Sequence, residues 1–277
     1  MRRTAPMLTL TLALGIGAGL IGEQILNAQQ GPYPRVADLV GAGRVRVGIG
    51  LGTSPLAIKD PATGEVRGPA LDLGRALAKR IGVEFVPVEY PRPGAVMEGV
   101  RTGAWDVAFL AIDPARAAEA DFSPPAYEYD LTFLVPAGSS IRNVADADEP
   151  GVRIATPRGD ASDLRLTRML KRAELVRTDT IAAGFDLLRA GQVDVRAGVR
   201  PGLLRDSAQL PGSRVLEDRF GVIRVAALVP KGHAGRLAYI SEFIEQAKAS
   251  GLVQQAIERA GLRAVVQVAP PGNPSTQ

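Results

Sequence analysis

The segment Arg101-Thr102-Gly103-Ala104-Trp105-Asp106-Val107 is echoed by Arg189-Ala190-Gly191-Gln192-Val193-Asp194-Val195. Each copy reads as a helix end, a glycine cap and a strand opening on Asp-Val. A unit repeated once implies two similar lobes. Outward from the first copy, Val45–Ile49 reads as a buried strand. Pro69 opens a helix whose Leu73, Leu77 and Ile81 share one face, and Gly82 closes it. Val83–Val88 is the next strand, Val96–Arg101 is helical, Asp106–Ile112 is a strand and Leu131–Val135 is an apolar run. Ser139–Pro150 is polar and loop-like. Around the second copy, strands Val152–Ala155, Leu175–Arg177 and Asp194–Ala197 alternate with helices Ser162–Lys171 and Ile181–Leu188. Val222–Val229 is strongly β-prone. Two helices close the fold, one with Ile240, Phe243, Ile244 and Ala247 on a face, the other with Val253, Ala256, Ile257 and Ala260. Strands alternating with helices predict a mainly parallel sheet in each lobe. Open α/β sheets bind ligands at strand carboxyl ends, so two facing lobes place a small-molecule site in the cleft between them.

Composition narrows the chemistry. The 277 residues carry 46% apolar and 22% charged side chains, an ordinary globular balance. Cysteine is absent and His233 is the single histidine, which excludes thiol nucleophiles, Cys-built zinc sites and two-histidine metal sites. No metal or other cofactor is expected. The net charge of +4 comes from basic residues interspersed with acidic ones, and aromatics are only 5%, so nucleic acid is not an expected partner. Arg2 and Arg3 precede an uncharged stretch from Met7 to Ile21, and small residues follow up to Ala28. This is the anatomy of a signal peptide spanning residues 1–28, with an uncleaved anchor as the alternative. Either way the bulk of the chain is expected to be exported.

Ile112-Asp113-Pro114-Ala115-Arg116 is the most informative local segment. Asp113 followed by Pro114 reads as an N-cap with proline at the first helical position. Arg116 then opposes the helix dipole in the first turn, at a cost of roughly 0.3–1 kcal/mol. The placement makes sense if a carboxylate docks there, on backbone N–H groups and guanidinium together. The alternative is a surface pairing of Arg116 with Asp113 or Glu119. Gly159-Asp160-Ala161-Ser162-Asp163 is a second turn into a helix. There Asp160 and Asp163 argue against capture of an anion and face an ammonium, or Asp160 or Ser162 is merely the cap. Gly48-Ile49-Gly50-Leu51-Gly52 has the wrong spacing for a dinucleotide fingerprint, and Pro55 follows where a helix should start. Trp105 is expected in the core and His233 on the surface. Arg158, Arg196 and Arg200 read as a solvated face; turned inward, they favour a ligand with more than one negative group.

These residues, taken in order, resemble the bacterial extracellular solute-binding proteins, family 3, the periplasmic receptors of polar amino-acid ABC importers. The likeness runs over roughly residues 44–262. It rests on Val45-Arg46-Val47-Gly48, Ser54-Pro55-Leu56, Gly68-Pro69-Ala70-Leu71-Asp72-Leu73, Gly103-Ala104-Trp105-Asp106-Val107, Asp113-Pro114-Ala115-Arg116 and Arg158-Gly159-Asp160. It implies an α/β, two-lobed periplasmic binding protein-like fold of type II, with a discontinuous lobe 1 (36–134 and 226–266), lobe 2 (135–225), two crossing hinge strands and a flexible tail (267–277). It implies a ligand carboxylate on Arg116, with Asp113, Ala111, Ile112, Gly52, Leu56, Gly159, Asp160, Ala161 and Val199 around it, and no catalytic residue. The family's threonine beside that arginine is Asp113 here, its lobe 2 threonine is Asp160, and its ammonium-binding acid falls on Val199. The ligand is then a polar amino acid whose ammonium meets Asp160, or a small organic acid without an amine. The resemblance further implies a monomer that meets an inner-membrane ABC permease. The rivals are an enzyme on the same fold, such as a cyclohexadienyl dehydratase-like protein with Asp160 or Glu128 as acid, and a periplasmic sensory or accessory module.

Overall fold

The computed structural model describes residues 34–53, 55–60 and 62–272. The signal-peptide reading falls on residues outside these. In chain order the first half holds α1 (Ala37–Ala42), β1 (Arg44–Gly50), a small hairpin of β2 (Ile58–Lys59) and β3 (Val66–Arg67), α2 (Pro69–Ile81) and β4 (Glu84–Tyr90). A 3-10 turn, Pro93–Met97, runs into α3 (Glu98–Thr102), followed by β5 (Val107–Ala111), α4 (Pro114–Ala117) and β6 (Ala120–Val135). The second half holds β7 (Arg153–Pro157), α5 (Ala161–Met169), β8 (Glu174–Thr178), α6 (Ile181–Arg189), β9 (Val195–Val199), α7 (Arg200–Ser207) and β10 (Arg214–Val215). The chain returns along β11 (Gly221–Pro230) and ends in α8 (Ala234–Ala249), α9 (Leu252–Arg259) and β12 (Val266–Val268).

The strands follow the order β4-β1-β5-β11-β6-β9-β7-β8, with β10 and β12 also on β6. Each half has three parallel strands, and in each the innermost of them pairs antiparallel with a crossing strand, β5 with β11 and β9 with β6. The fold is thus two-lobed, with β6 and β11 pairing along each other between the lobes.

The sequence echo has a concrete structural meaning. Gly103 and Gly191 both adopt positive φ, where a side chain would be strained. The two aspartates that follow do the same job. Asp106 accepts from the Arg46 backbone N–H at 2.8 Å and from its guanidinium, and Asp194 accepts from the Arg153 backbone N–H at 2.9 Å and from its guanidinium. Each carboxylate therefore pins the start of the neighbouring parallel strand. Burial alone would raise the Asp106 carboxyl, but the hydrogen bonds from Arg46 outweigh it and hold it below the usual range.

The glycines after β1 serve packing. Trp105 is buried and donates to the Val96 carbonyl at 2.8 Å, and a Cβ on Gly48 would sit 3.0 Å from its ring. A Cβ on Gly50 would meet the Pro93 backbone at 2.5 Å. Small residues there admit the indole and the 3-10 turn. His233 is exposed at the start of α8.

The long β6 extends well beyond the Leu131–Val135 run, and α7 was not anticipated. Pro124 and Pro125 mask the first part of β6. The ladder to β11 shifts register opposite them, between Val225 and Ala226 and again between Ala226 and Leu228. Irregularities of that kind are where strand prolines are tolerated. The Ser123 hydroxyl accepts the Ala227 N–H there at 3.1 Å.

Candidate functional site

Strand β5 delivers the first half of the site. Asp113 caps α4, its carboxylate accepting the Ala115 N–H at 2.9 Å, with Pro114 at the first helical position. That cap turns the chain so that Arg116 points inward, and only 3% of the residue is exposed. Its Nη1 donates to the Ala111 carbonyl and its Nη2 to the Gly159 carbonyl, each at 3.0 Å. Its Nε has no partner among the described residues. Burial draws the guanidinium below its ordinary value, and Asp160 and Asp113 oppose the effect. An arginine nonetheless stays cationic at neutral pH.

The second half supplies the facing wall. Asp160 stands at the N-cap position of α5, yet its side chain makes no cap bond. Instead its Oδ1 crosses the cleft and accepts the Gly94 N–H at 2.8 Å. The Ser162 hydroxyl bonds Thr156 at 2.8 Å and is not a cap either. Burial raises the Asp160 carboxyl to about 6, against the Gly94 hydrogen bond and the Arg116 and Arg92 charges. Burial likewise pushes the Tyr129 phenol far above its ordinary range.

Between the halves lies a cavity of about 560 Å³ of atom-free space, mouth included. Its lining joins Gly52, Leu56, Ala111 and Arg116 to Asp160, Ala161 and Val199, all read from the sequence. Gly159 contributes its carbonyl to Arg116 without lining the cavity. Ile112 and Asp113 lie outside it. Alternation along β5 turns Ala111 inward and Ile112 outward, 41% exposed, while the Asp113 carboxylate is held by Arg168 at 2.7 Å. Thr53, Pro93, Tyr129, Ile181, Arg196 and Arg205 also line the cavity and were not named as ligand contacts. Of the three arginines read as a solvated face, Arg158 is exposed beside Asp179. Arg200 binds the carbonyls of Leu216 and Glu217. Arg196 is buried and ion-paired to Asp206, a correction to the surface reading. Glu128 pairs with Arg224 and does not line this cavity. Among the described residues no cluster of His, Asp or Glu has metal-site geometry, and no helix is long and apolar enough to cross a membrane.

The lobes stand closed. Arg92 donates to the Arg158 carbonyl at 2.5 Å and to the Asp179 carbonyl at 3.1 Å, beside the Gly94–Asp160, Arg116–Gly159 and Arg168–Asp113 contacts. In this closed arrangement burial holds the Asp160 carboxyl at about 6, and opening that returns it to water lets it fall back toward the usual 3.8. The sign follows: the closed form is favoured below about 4, and that advantage is lost as pH rises through about 6. Two units correspond to up to about a hundredfold in the closed-to-open ratio. The radius of gyration of ligand-free protein should therefore grow from pH 4.5 to 7.5. In Asp160→Asn it should stay constant; an equal change in both proteins would contradict the argument.

The sequence matches the family "Bacterial extracellular solute-binding proteins, family 3" over residues 45–261. A glutamine-binding protein of Geobacillus stearothermophilus is 26% identical over 182 residues, covering 64% of this chain and 69% of that protein. The ABC transporter glutamine-binding protein of Bacillus subtilis (strain 168) is 23% identical over 217 residues, covering 75% and 77%. The crystal structure of an ancestral amino acid-binding protein, described as a precursor of cyclohexadienyl dehydratase, superposes with a TM-score of 0.70 at 23% identity, covering 80% of this chain and 96% of that one. With the two-lobed fold and a match spanning most of its length, the chain belongs to the bacterial extracellular solute-binding proteins, family 3.

Proposed function

We propose that the protein is the periplasmic substrate-binding receptor of an ABC importer, taking a polar amino acid or related small carboxylate between its lobes. The observation that carries this reading is the buried guanidinium of Arg116, in the wall of an interlobe cavity with its Nε unpartnered among the described residues. A ligand carboxylate there supplies the missing acceptor in a low-dielectric setting, where a charge-assisted bond is strongest. Asp160 faces the same space and accepts an α-ammonium. Lobe 1 then comprises residues 36–134 and 226–266, and lobe 2 residues 135–225. Ligand bridges them, and the closed form docks as a monomer on the inner-membrane permease. Residues 1–28 direct export.

Thermal melts of the protein with individual amino acids and organic acids test this. A ligand at 100 times its Kd stabilises the folded form by about 2.7 kcal/mol. At least one small carboxylate should raise the midpoint; a flat panel at millimolar concentration would remove the receptor reading.

One observation favours a second reading. A buried carboxyl held near pH 6 in a cleft is suited to general acid chemistry, which gives an enzyme on this fold a candidate in Asp160. Turnover of prephenate or arogenate that disappears in Asp160→Asn would establish it.

A further inference from the structure

The cavity walls are charged unevenly. Among the described residues Asp160 is the only acidic one lining the cavity, whereas Arg116, Arg196 and Arg205 are three cations on the same surface. Arg116 and Asp160 balance each other at one end. The other end is built by β9 and α7. There Arg196, whose side chain is 5% exposed, is ion-paired to Asp206, and the Nε of Arg205 lies 4.0 Å from the same carboxylate. Two guanidiniums thus share one acid, leaving an excess positive charge. The Arg196 Nε has no hydrogen-bond partner among the described residues, although the residue is 4% exposed. A strut between β9 and α7 needs one arginine and one acid. It does not need a second arginine on the cavity wall. Buried polar groups are normally satisfied, and an exception in a ligand cavity points to a group supplied from outside.

We infer that the ligand is an acidic amino acid, its second carboxylate received by the Arg196–Arg205 end of the cavity. The inference rests on the receptor reading above and specifies its substrate class. A zwitterionic head matches the Arg116–Asp160 end, which is neutral in sum. An anionic side chain then neutralises the surplus cation at the far end. A neutral amide leaves that charge uncompensated, and a cationic side chain adds repulsion.

Calorimetric titration of the full chain with L-glutamate, L-aspartate, L-glutamine, L-asparagine and L-arginine tests it. The better acidic ligand should bind at least tenfold more tightly than its amide. The Arg205 side chain is 44% exposed, so Arg205→Gln should fold, and it should cut the acid-to-amide ratio at least fivefold. Tighter binding of an amide or of L-arginine overturns the substrate class and leaves the receptor reading standing. An unchanged ratio in Arg205→Gln overturns the role of this end of the cavity. Binding of none of the five overturns the substrate class, and the wider thermal-shift panel then decides the receptor reading separately.

Discussion

Arg116→Ala should abolish ligand-induced thermal stabilisation while the ligand-free protein still melts cooperatively. Removing one partner of a buried, hydrogen-bonded charge pair weakens binding by about 2–5 kcal/mol, or roughly 30- to 4,000-fold. The fold should survive, because among the described residues the guanidinium bonds only two main-chain carbonyls, those of Ala111 and Gly159. The α4 turn is set by the Asp113 cap and Pro114, both retained. Arg116→Lys should recover only part of the affinity, since an ammonium keeps the charge and lacks the planar fork. Measured by calorimetry, an alanine variant within threefold of wild type would show that the ligand does not engage this side chain.

Gly94→Val should prevent closure. A Cβ at position 94 would lie 2.9 Å from both the carbon and oxygen of the Gly159 carbonyl and 2.6 Å from Nη1 of Arg92. Real side chains do not approach backbone that closely, and the Gly159 main chain has little room to retreat because Arg116 and Asp163 hold it from either side. With the lobes apart, the same segment is free of the clash. The variant should therefore fold normally, bind ligand on one lobe only and lose at least about a hundredfold in affinity, the cost of forfeiting half the contacts. Small-angle scattering reads the geometry directly. A radius of gyration that does not shrink on ligand addition is expected; wild-type compaction would mean that the two glycines do not form the closing contact.

How much of this was legible in the sequence depends on the range of the interaction concerned. The Gly-x-x-Asp-Val echo, the Pro69 start and Gly82 stop of α2 and the Asp113 cap are all local patterns. Each is decided by neighbours within a few residues, and the structure keeps each of them. The first-turn position of Arg116 is locally unfavourable but leaves both a ligand role and a surface pairing open; the family resemblance pointed to the ligand role, and the structure buries the side chain. Arg196 carried a signal that was underweighted: a charged residue inside a buried strand requires a partner, and Asp206 lies ten positions on. Gly94 gave no local hint at all. Its constraint comes from a backbone sixty-five residues away, across the cleft. The failed cap reading of Asp160 has the same origin, since Gly94 outcompetes the α5 N–H groups for the carboxylate.

Tyr129 occupies an unusual place in the ladder. It pairs with Ile223 of β11 and Val266 of β12, two residues before β6 begins to pair with β9 at Leu131, and its ring also borders the cavity beside Arg116. The cavity thus abuts the pair of strands that run between the two halves. If the halves open about these strands, a ligand resting against Tyr129 pushes close to the pivot, and a small displacement there is enlarged where Arg92 grips the facing lobe.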